Sequence, residues 1–218
     1  MEKINKQQYQ LLIKGATVLE KDGFGLKVLD TGKGNIIKLF RRKRLFSTAL
    51  FLPYACRFVN NAKKLHHLGI PTITIDQLLW CPSIQRHIVI YQKLEGQLLR
   101  DELSKQIKGD SAAFNKFGRF IALLHQKGVY FRSAHLKNIL VLPNKEFGLI
   151  DISDMQIKRA PLKPALRLRN FSHILRYQED KTLIRTHLDA FIAGYLDESQ
   201  LNPKLARQFN EHIRSMLA

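Results

Sequence analysis

A group of polar side chains between residues 131 and 151 has the chemistry to bind a metal ion and orient a hydroxyl group. Asn138 and Asp151, thirteen positions apart, carry an amide and a carboxylate, whose hard oxygen atoms suit Mg²⁺. His135 has a side chain with a pKa of about 6.5 in peptides, so it could serve as a base. Upstream, Lys38 lies in NIIKLF, which predicts a strand. A lone strand lysine is most often a solvated charge, so Lys38 gains weight only beside Asn138 and Asp151.

Transfer of phosphate from ATP requires this set of groups: a lysine on the phosphates, two oxygen ligands for Mg²⁺, a flexible cover and a group that orients the acceptor. The segment GVYFRSAHLKNILV, followed by LIDISD, resembles the protein-kinase catalytic loop and its metal-binding aspartate. The resemblance implies that Asn138 and Asp151 hold Mg²⁺ and that Lys38 binds the phosphates of ATP. The turn KDGFG, with Gly23 and Gly25, partly resembles the glycine-rich phosphate cover.

Further segments resemble the lipopolysaccharide kinase (Kdo/WaaP) family of sugar kinases: LHHLGIPT, VIYQKLEG and LLHQKGVY, together with the lack of an Ala-Pro-Glu motif. The resemblance covers roughly residues 10–180. It implies ATP-dependent phosphorylation of a sugar in the lipopolysaccharide core, with that core or another anionic glycolipid as partner, at the cytoplasmic face of the inner membrane.

The catalytic loop departs from the family pattern where His-Arg-Asp becomes Phe131-Arg132-Ser133. Ser133 replaces the catalytic aspartate, and its hydroxyl cannot accept a proton at neutral pH. A positioned base is worth roughly 10²–10⁴ in rate, so its loss slows a kinase without necessarily abolishing it. His135 is either a replacement base beside Arg132 and Ser133 or a residue that packs against the metal-binding loop. The alternative function is a pseudokinase, a module of the same fold that binds nucleotide or a partner.

The partner of Lys38 is a second departure. Kinases pair this lysine with a helix glutamate, but no Asp or Glu occurs between Thr31 and Ile75. Asn60 or Asn61 falls near that position, and either could orient the ammonium through a neutral hydrogen bond, which is weaker than a charge-assisted one.

The chain is strongly basic, with a formal net charge of +18, which predicts attraction to a polyanion. Arg41-Arg42-Lys43-Arg44 joins the apolar stretch LFSTALFLPYACRF, which either anchors the protein on anionic lipid or seals the small lobe. Nucleic-acid binding is not expected, because no zinc spacing, RNA-binding signature or basic heptad segment is present. The oligomeric state stays open.

Periodicity predicts an α+β protein with a kinase-like, two-lobed fold. Short apolar runs separated by glycine turns predict antiparallel strands over residues 10–39, and 55–68 predicts a helix. A strand pair is expected at 72–80 and 87–93. A helix capped by Asp110 or Ser111 and stopped by Gly128 is predicted by the spacing of its apolar residues, Phe114, Phe117, Phe120, Ile121 and Leu124, and residues 165–217 are expected to be mainly helical. We expect a β-rich N-lobe over 1–94 and a helical C-lobe over 95–218.

The cysteines and the N-terminus bear on the compartment. Cys56 and Cys81 are too few for a disulfide framework and are expected to be buried apolar fillers in a reducing environment. Residues 1–20 lack the apolar core of a signal peptide, and no 18-residue apolar run occurs. We therefore expect a cytoplasmic protein, peripheral on the inner membrane.

Overall fold

A computed structural model describes residues 1–41, 53–105 and 111–217. Contacts between Cα atoms divide the chain into two compact units, Met1–Leu94 and Glu95–Ala218. The basic and apolar segment at 42–52 and the cap residue Asp110 lie outside the described residues, so the anchor hypothesis stays a prediction.

The first unit is built on a mainly antiparallel sheet. Its described elements are β1 (Glu2–Lys3), α1 (Lys6–Ile13), β2 (Thr17–Asp22), β3 (Gly25–Asp30), β4 (Asn35–Arg41), α2 (Tyr54–His67), β5 (Thr74–Cys81) and β6 (Arg86–Gln92). The six strands follow the order β1-β5-β6-β4-β3-β2. Leu29, Ile37, Leu79 and Ile88 are buried together in its core. The expected strands and the helix at 55–68 are present.

Helix α1 differs from the sequence prediction, which places residues 10–13 in the strand system. Asn5 starts this helix with a capping box. Its side-chain oxygen accepts from the Gln8 amide at 2.9 Å, and the Gln8 side chain accepts from the Asn5 amide at 2.8 Å. Two reciprocal bonds satisfy backbone donors that a short helix would otherwise leave open.

The second unit is mainly helical, with short strands around the predicted loop. Its described elements are β7 (Gln97–Leu98), α3 (Leu99–Lys105), α4 (Ala112–Gln126), β8 (Val129–Phe131), β9 (Ile139–Val141), β10 (Phe147–Leu149), β11 (Met155–Ile157), α5 (Pro164–Ile174), α6 (Gln178–Thr186), α7 (Leu188–Ser199) and α8 (Pro203–Leu217). Strands β10, β9 and β7 form one sheet, and β11 pairs with β8. Phe114, Phe117 and Phe120 of α4 are buried, as their spacing predicts.

Helices α4 and α7 pack backbone against backbone through glycine. A Cβ on Gly118 would overlap the Phe191 carbonyl oxygen, and one on Gly194 would overlap the Asn115 carbonyl. This close approach fixes α7 against α4, the helix that precedes β8 and the predicted loop in the chain. At the end of α4, Gly128 has φ +73°, and a Cβ there would lie 2.6 Å from the Lys158 carbonyl oxygen. Gly128 is therefore needed both to end the helix and to place β8 beside the segment after β11.

Cys81 is buried, whereas Cys56 is half-buried, so the expected role as a filler fits Cys81 better. In the described ranges, no helix is both long enough and apolar enough to cross a bilayer.

Candidate functional site

Strand β8 leads into the predicted loop and is held on both sides. Its three residues are fully buried and pair with β11, with Phe131 opposite Met155. On the other side, the Asn170 amide nitrogen donates to the Phe131 carbonyl at 2.7 Å, and its oxygen accepts from the Phe131 amide at 3.4 Å. The Asn170 side chain thus makes the two backbone hydrogen bonds that a neighbouring strand would make, and these bonds hold the start of the loop in place.

A buried histidine orients Asn170. His125 Nε2 lies 3.2 Å from Asn170 Oδ1, and His125 Nδ1 lies 3.0 Å from the Tyr195 hydroxyl. Since Asn170 Oδ1 can only accept, Nε2 carries the proton and Nδ1 accepts from Tyr195. Burial lowers the pKa of His125 to about 3, with the Asn170 hydrogen bond opposing. His125 is therefore neutral at physiological pH and fixed as one tautomer.

Asn138 is turned so that its amide nitrogen serves the loop. Nδ2 donates to the Ser133 carbonyl at 2.9 Å and lies 3.2 Å from His135 Nε2. The backbone amide of Asn138 also bonds the His135 carbonyl at 2.9 Å. With Nδ2 committed to these acceptors, Oδ1 is the atom of this side chain that could serve as a metal ligand.

Asp151 lies in a turn joined to the same loop. The Ile150 amide donates to the Asn138 carbonyl at 3.0 Å, so the two predicted ligand segments are connected directly. Asp151 has φ +50° and ψ +48°, a left-handed conformation that non-glycine residues adopt uncommonly and that is enriched at functional sites. Its side chain is exposed, and Ser153 Oγ donates to its Oδ1 at 3.2 Å. The turn therefore presents a carboxylate to solvent next to Asn138.

His135 faces inward. Because Asn138 Nδ2 donates to it, Nε2 is an acceptor and the proton lies on Nδ1, which is buried and without a hydrogen-bond partner in the described part of the chain. Its ring meets Tyr177 edge-on at 5.0 Å. Burial lowers the pKa of His135; Asp180 and Asp151 oppose this shift. The geometry favours a packing role over a replacement base, because Nε2 is bonded to Asn138 and Nδ1 is buried.

The loop is also held by an ion pair that sequence reasoning missed. Asp180 of α6 is fully buried, and its Oδ2 accepts from the Leu136 backbone amide at 3.2 Å. Arg100 of α3 donates through Nε to Asp180 Oδ1 at 2.7 Å. Burial raises the pKa of the Asp180 carboxyl, while the Leu136 amide and Arg100 counteract that rise. The spacing of 44 residues from Leu136 gave no local signal for this contact.

Arg132 is exposed and pairs with the segment after Asp151. Its Nη1 lies 3.4 Å from Asp154 Oδ1, and its backbone amide donates to the Asp154 carbonyl at 3.2 Å. Ser133, at the position of the missing aspartate, is half-buried. The second unit therefore brings Arg132, Ser133, His135, Asn138 and Asp151 into one pair of connected loops.

The remaining predicted residues lie in the first unit. Lys38 is in β4, opposite Val28 of β3 and Val89 of β6. Its ammonium lies 5.3 Å from the centre of the Phe58 ring in α2, a cation–π contact that sequence reasoning missed. Asn61 is buried and lies three residues after Phe58, so both share one helix face, whereas Asn60 is exposed. Asn61 is thus the better candidate to orient Lys38.

The glycine turn connects β2 and β3, with Asp22 opposite Gly25. Gly25 has φ +111°, which requires glycine, whereas Gly23 has neither a left-handed φ nor a close neighbour. The Phe24 carbonyl accepts from Arg86 at 2.8 Å, and the Arg41 guanidinium lies 3.5 Å from the centre of the Phe24 ring. The turn is thus tied to its own sheet by two arginines.

Among the described residues, no group of three or more His, Cys, Asp or Glu side chains could hold a metal ion. A site of Asn138 and Asp151 would be completed by waters and substrate phosphates, which is the usual way in which Mg²⁺ is bound beside nucleotides. The donor types and the orientation of Asn138 fit such a site.

The profile of the lipopolysaccharide kinase (Kdo/WaaP) family matches residues 31–195. Among solved structures, monomeric WbdD is similar at 17% identity with a TM-score of 0.50, over 84% of this chain and 44% of that chain. The bifunctional kinase-methyltransferase WbdD matches at 16% identity and a TM-score of 0.49, over 86% and 42%. No curated protein matches the chain. The chain spans less than half of these structures. The likeness to monomeric WbdD confirms the expected α+β, kinase-like fold.

Proposed function

Because the chain belongs to the lipopolysaccharide kinase (Kdo/WaaP) family, we propose that it is an ATP-dependent kinase acting on a sugar of the lipopolysaccharide core. Family membership supports a kinase-like role in lipopolysaccharide biosynthesis. The observation that carries the proposal is the pair of connected loops. In them, the Asn138 amide nitrogen is bonded to the Ser133 carbonyl, and the Asp151 side chain is exposed to solvent.

In this proposal, Asn138 Oδ1 and the Asp151 carboxylate hold Mg²⁺, which supplies neutralising charge to the phosphates of ATP. Lys38 contributes a further positive charge on those phosphates, with Phe58 beneath its ammonium. The turn at Gly23 and Gly25 covers the nucleotide. Hydrogen bonds from Asn138 and Ile150 hold the ligand loops together, so these residues supply positioning and charge rather than covalent chemistry.

The acceptor hydroxyl is placed at Ser133. A serine hydroxyl can hydrogen-bond an acceptor hydroxyl and orient it, although it does not take its proton at neutral pH. The missing base is worth about 3–5 kcal/mol of barrier, whereas phosphate and metal contacts supply the larger share in a loose transition state. We therefore expect a slow enzyme, in which Arg132 adds charge beside Ser133 and His135 stiffens the loop.

A second candidate is a pseudokinase that binds Mg-ATP or a partner without turnover. The observation that favours it is the inward orientation of His135, which leaves Ser133 without a replacement base at the same loop. The metal-binding residues are those of the first candidate, so nucleotide binding alone does not separate the two.

Charge supports an anionic partner and a location at a membrane surface. The net charge of +18 favours a lipopolysaccharide core or another anionic glycolipid as acceptor, and favours a peripheral position on the cytoplasmic face of the inner membrane. The segment Arg41–Arg44 and the following apolar residues are the proposed contact with lipid.

The test is incorporation of labelled phosphate from Mg-ATP into purified lipopolysaccharide core. We expect the wild type to transfer phosphate slowly, Asp151→Ala to lose transfer and Ser133→Asp to accelerate it. Lys127→Ala, outside both loops, serves as a control variant. Wild-type protein that binds Mg-ATP but transfers nothing to any fraction of the core or inner-membrane extract would favour the pseudokinase.

A further inference from the structure

Helix α5 and the residues that follow it carry basic side chains. Arg169 and His173 lie at positions i and i+4 of α5 and share one face, and Arg176 follows two residues after the helix ends. His173 Nε2 lies 3.0 Å from the Tyr130 hydroxyl, with the two rings edge-on at 5.9 Å. His173 therefore contacts strand β8, which leads into the catalytic loop.

The positive charges of three arginines act on His173. Burial is the main cause that lowers the pKa of His173, and Arg132, Arg169 and Arg176 each lower it further, while the Asp154 carboxylate opposes them. Arg132, Arg169 and Arg176 are all exposed. We call these three residues the arginine cluster.

The arginine cluster carries more positive charge than the neighbouring carboxylate can neutralise. Asp154 pairs with Arg132 at 3.4 Å. Across residues 1–41, 53–105 and 111–217, neither Arg169 nor Arg176 forms an ion pair with a carboxylate. Because all three positive charges act on one ring, an anion bound beside them would reduce their mutual repulsion. Guanidinium groups bind phosphate and carboxylate in a bidentate manner, so they suit this role better than lysine.

The cluster borders the place assigned to the acceptor. Arg132 directly precedes Ser133, and Arg176 directly precedes Tyr177, whose ring contacts His135 at 5.0 Å. The Arg176 charge also contributes to the lowered pKa of His135. An anion held by the cluster would thus lie on the acceptor side of the loop, apart from the metal ligands Asn138 and Asp151.

We propose that the arginine cluster, with His173, is a subsite for an anionic substituent of the acceptor, a phosphate or carboxylate group next to the hydroxyl that is phosphorylated. The inference rests on the proposed function for the identity of the acceptor. It names the substrate class: a sugar that already carries negative charge before the transfer takes place.

The test is equilibrium binding of fluorescently labelled lipopolysaccharide core, without nucleotide, to the full chain. We expect the Arg169→Gln/Arg176→Gln variant to bind at least tenfold more weakly than the wild type. The matched control is Arg159→Gln/Lys163→Gln, which removes the same charge from exposed residues of the same basic segment and should change binding less than threefold. Thermal unfolding of both variants checks that they fold.

Chemical modification of the lipopolysaccharide core tests the contact between its anionic group and the arginine cluster in the wild-type protein. Core that has been dephosphorylated, and core with reduced carboxyl groups, are compared on the wild type; the one that loses at least tenfold in affinity identifies the anion. Equal loss in both protein variants, equal binding of all three cores, or no binding of core by the wild type would overturn the subsite. Loss of binding to phosphatidylglycerol vesicles in the Arg169→Gln/Arg176→Gln variant, with core binding unchanged, would assign the cluster to a membrane surface instead.

Different results would contradict the subsite and the proposed function. Core that binds through the cluster but receives no phosphate from Mg-ATP contradicts the kinase and leaves the subsite standing. Phosphate transfer whose KM for core is unchanged in Arg169→Gln/Arg176→Gln contradicts the subsite and leaves the kinase standing. We expect the KM to rise at least tenfold in that variant, with kcat changed less than threefold.

Discussion

Removal of Asp180 should destabilise the second unit and loosen the catalytic loop together. Asp180 is fully buried, and the Arg100 side chain is only 12% exposed, so their pair is shielded from solvent. Breaking a buried pair by removing one partner costs about 3–5 kcal/mol, because it leaves an uncompensated charge. We expect Asp180→Ala to lower the free energy of unfolding by about that amount, which includes the lost acceptor for the Leu136 amide.

A double-mutant cycle separates the ion pair from simple loss of packing. Arg100→Met keeps the length of the side chain but leaves a buried carboxylate, and should cost about 3–5 kcal/mol. The double variant Arg100→Met/Asp180→Ala should cost less than the sum by at least about 1 kcal/mol, because neither charge remains. The assay is urea unfolding followed by circular dichroism. Costs that add to within about 0.5 kcal/mol would refute the coupling.

The same cycle has a functional readout. The Leu136 amide lies between His135 and Asn138 in the loop, so Asp180→Ala should weaken Mg-ATP binding as well as stability. Asp189→Ala removes a carboxylate of similar type from an exposed pair with Arg214 and serves as the control. Exposed ion pairs contribute about 0–1 kcal/mol, so this control should change neither measurement appreciably.

Three further predictions address the buried histidine, the lysine and the serine. The pKa of His125 is about 3 in the folded protein and about 6.5 in the unfolded chain, so the free energy of unfolding should fall by about 1.4 kcal/mol per pH unit as the pH drops from 6.5 toward 3. Urea unfolding at several pH values should show a weaker dependence of stability on pH in His125→Gln, and an unchanged dependence would contradict the buried neutral state. Asn61→Ala should weaken ATP binding severalfold, whereas Asn60→Ala, at an exposed position, should leave it unchanged. If calorimetry shows that neither variant changes ATP affinity, Lys38 has no asparagine partner. Ser133→Asp should raise kcat of phosphate transfer on the order of 10²-fold; an unchanged kcat would mean that proton removal does not limit the rate.

Local patterns predicted the elements that depend on local chemistry. Period-two runs and glycine turns identified strands β2 to β4, and the spacing of Phe114, Phe117 and Phe120 identified α4, because each element buries one face. Helix α1 was missed because its capping box, at Asn5 and Gln8, stands before a segment that also reads as apolar strand. The fold class followed from these elements and from the resemblance of the loop.

The sequence nominated the candidate metal ligands but not the residues that hold the loop in place. Asn138 and Asp151 stood out because their residue types and spacing are tied to metal chemistry. Asp180, Asn170 and Phe58 gave no such signal, since each acts through a contact with a residue at least twenty positions away. Tertiary packing creates these contacts, and one sequence carries no trace of them.

The measurement that tests the central claim most directly is Mg²⁺-dependent ATP binding by isothermal titration calorimetry. The proposed kinase and a pseudokinase that binds nucleotide both require that Asn138 and Asp151 bind the metal with the nucleotide. We predict that the wild type binds ATP at least tenfold more tightly with Mg²⁺ than with EDTA, and that the folded Asp151→Asn variant loses this difference. Equal affinity with and without Mg²⁺ in the wild type, or an undiminished effect of Mg²⁺ in Asp151→Asn, would contradict the account.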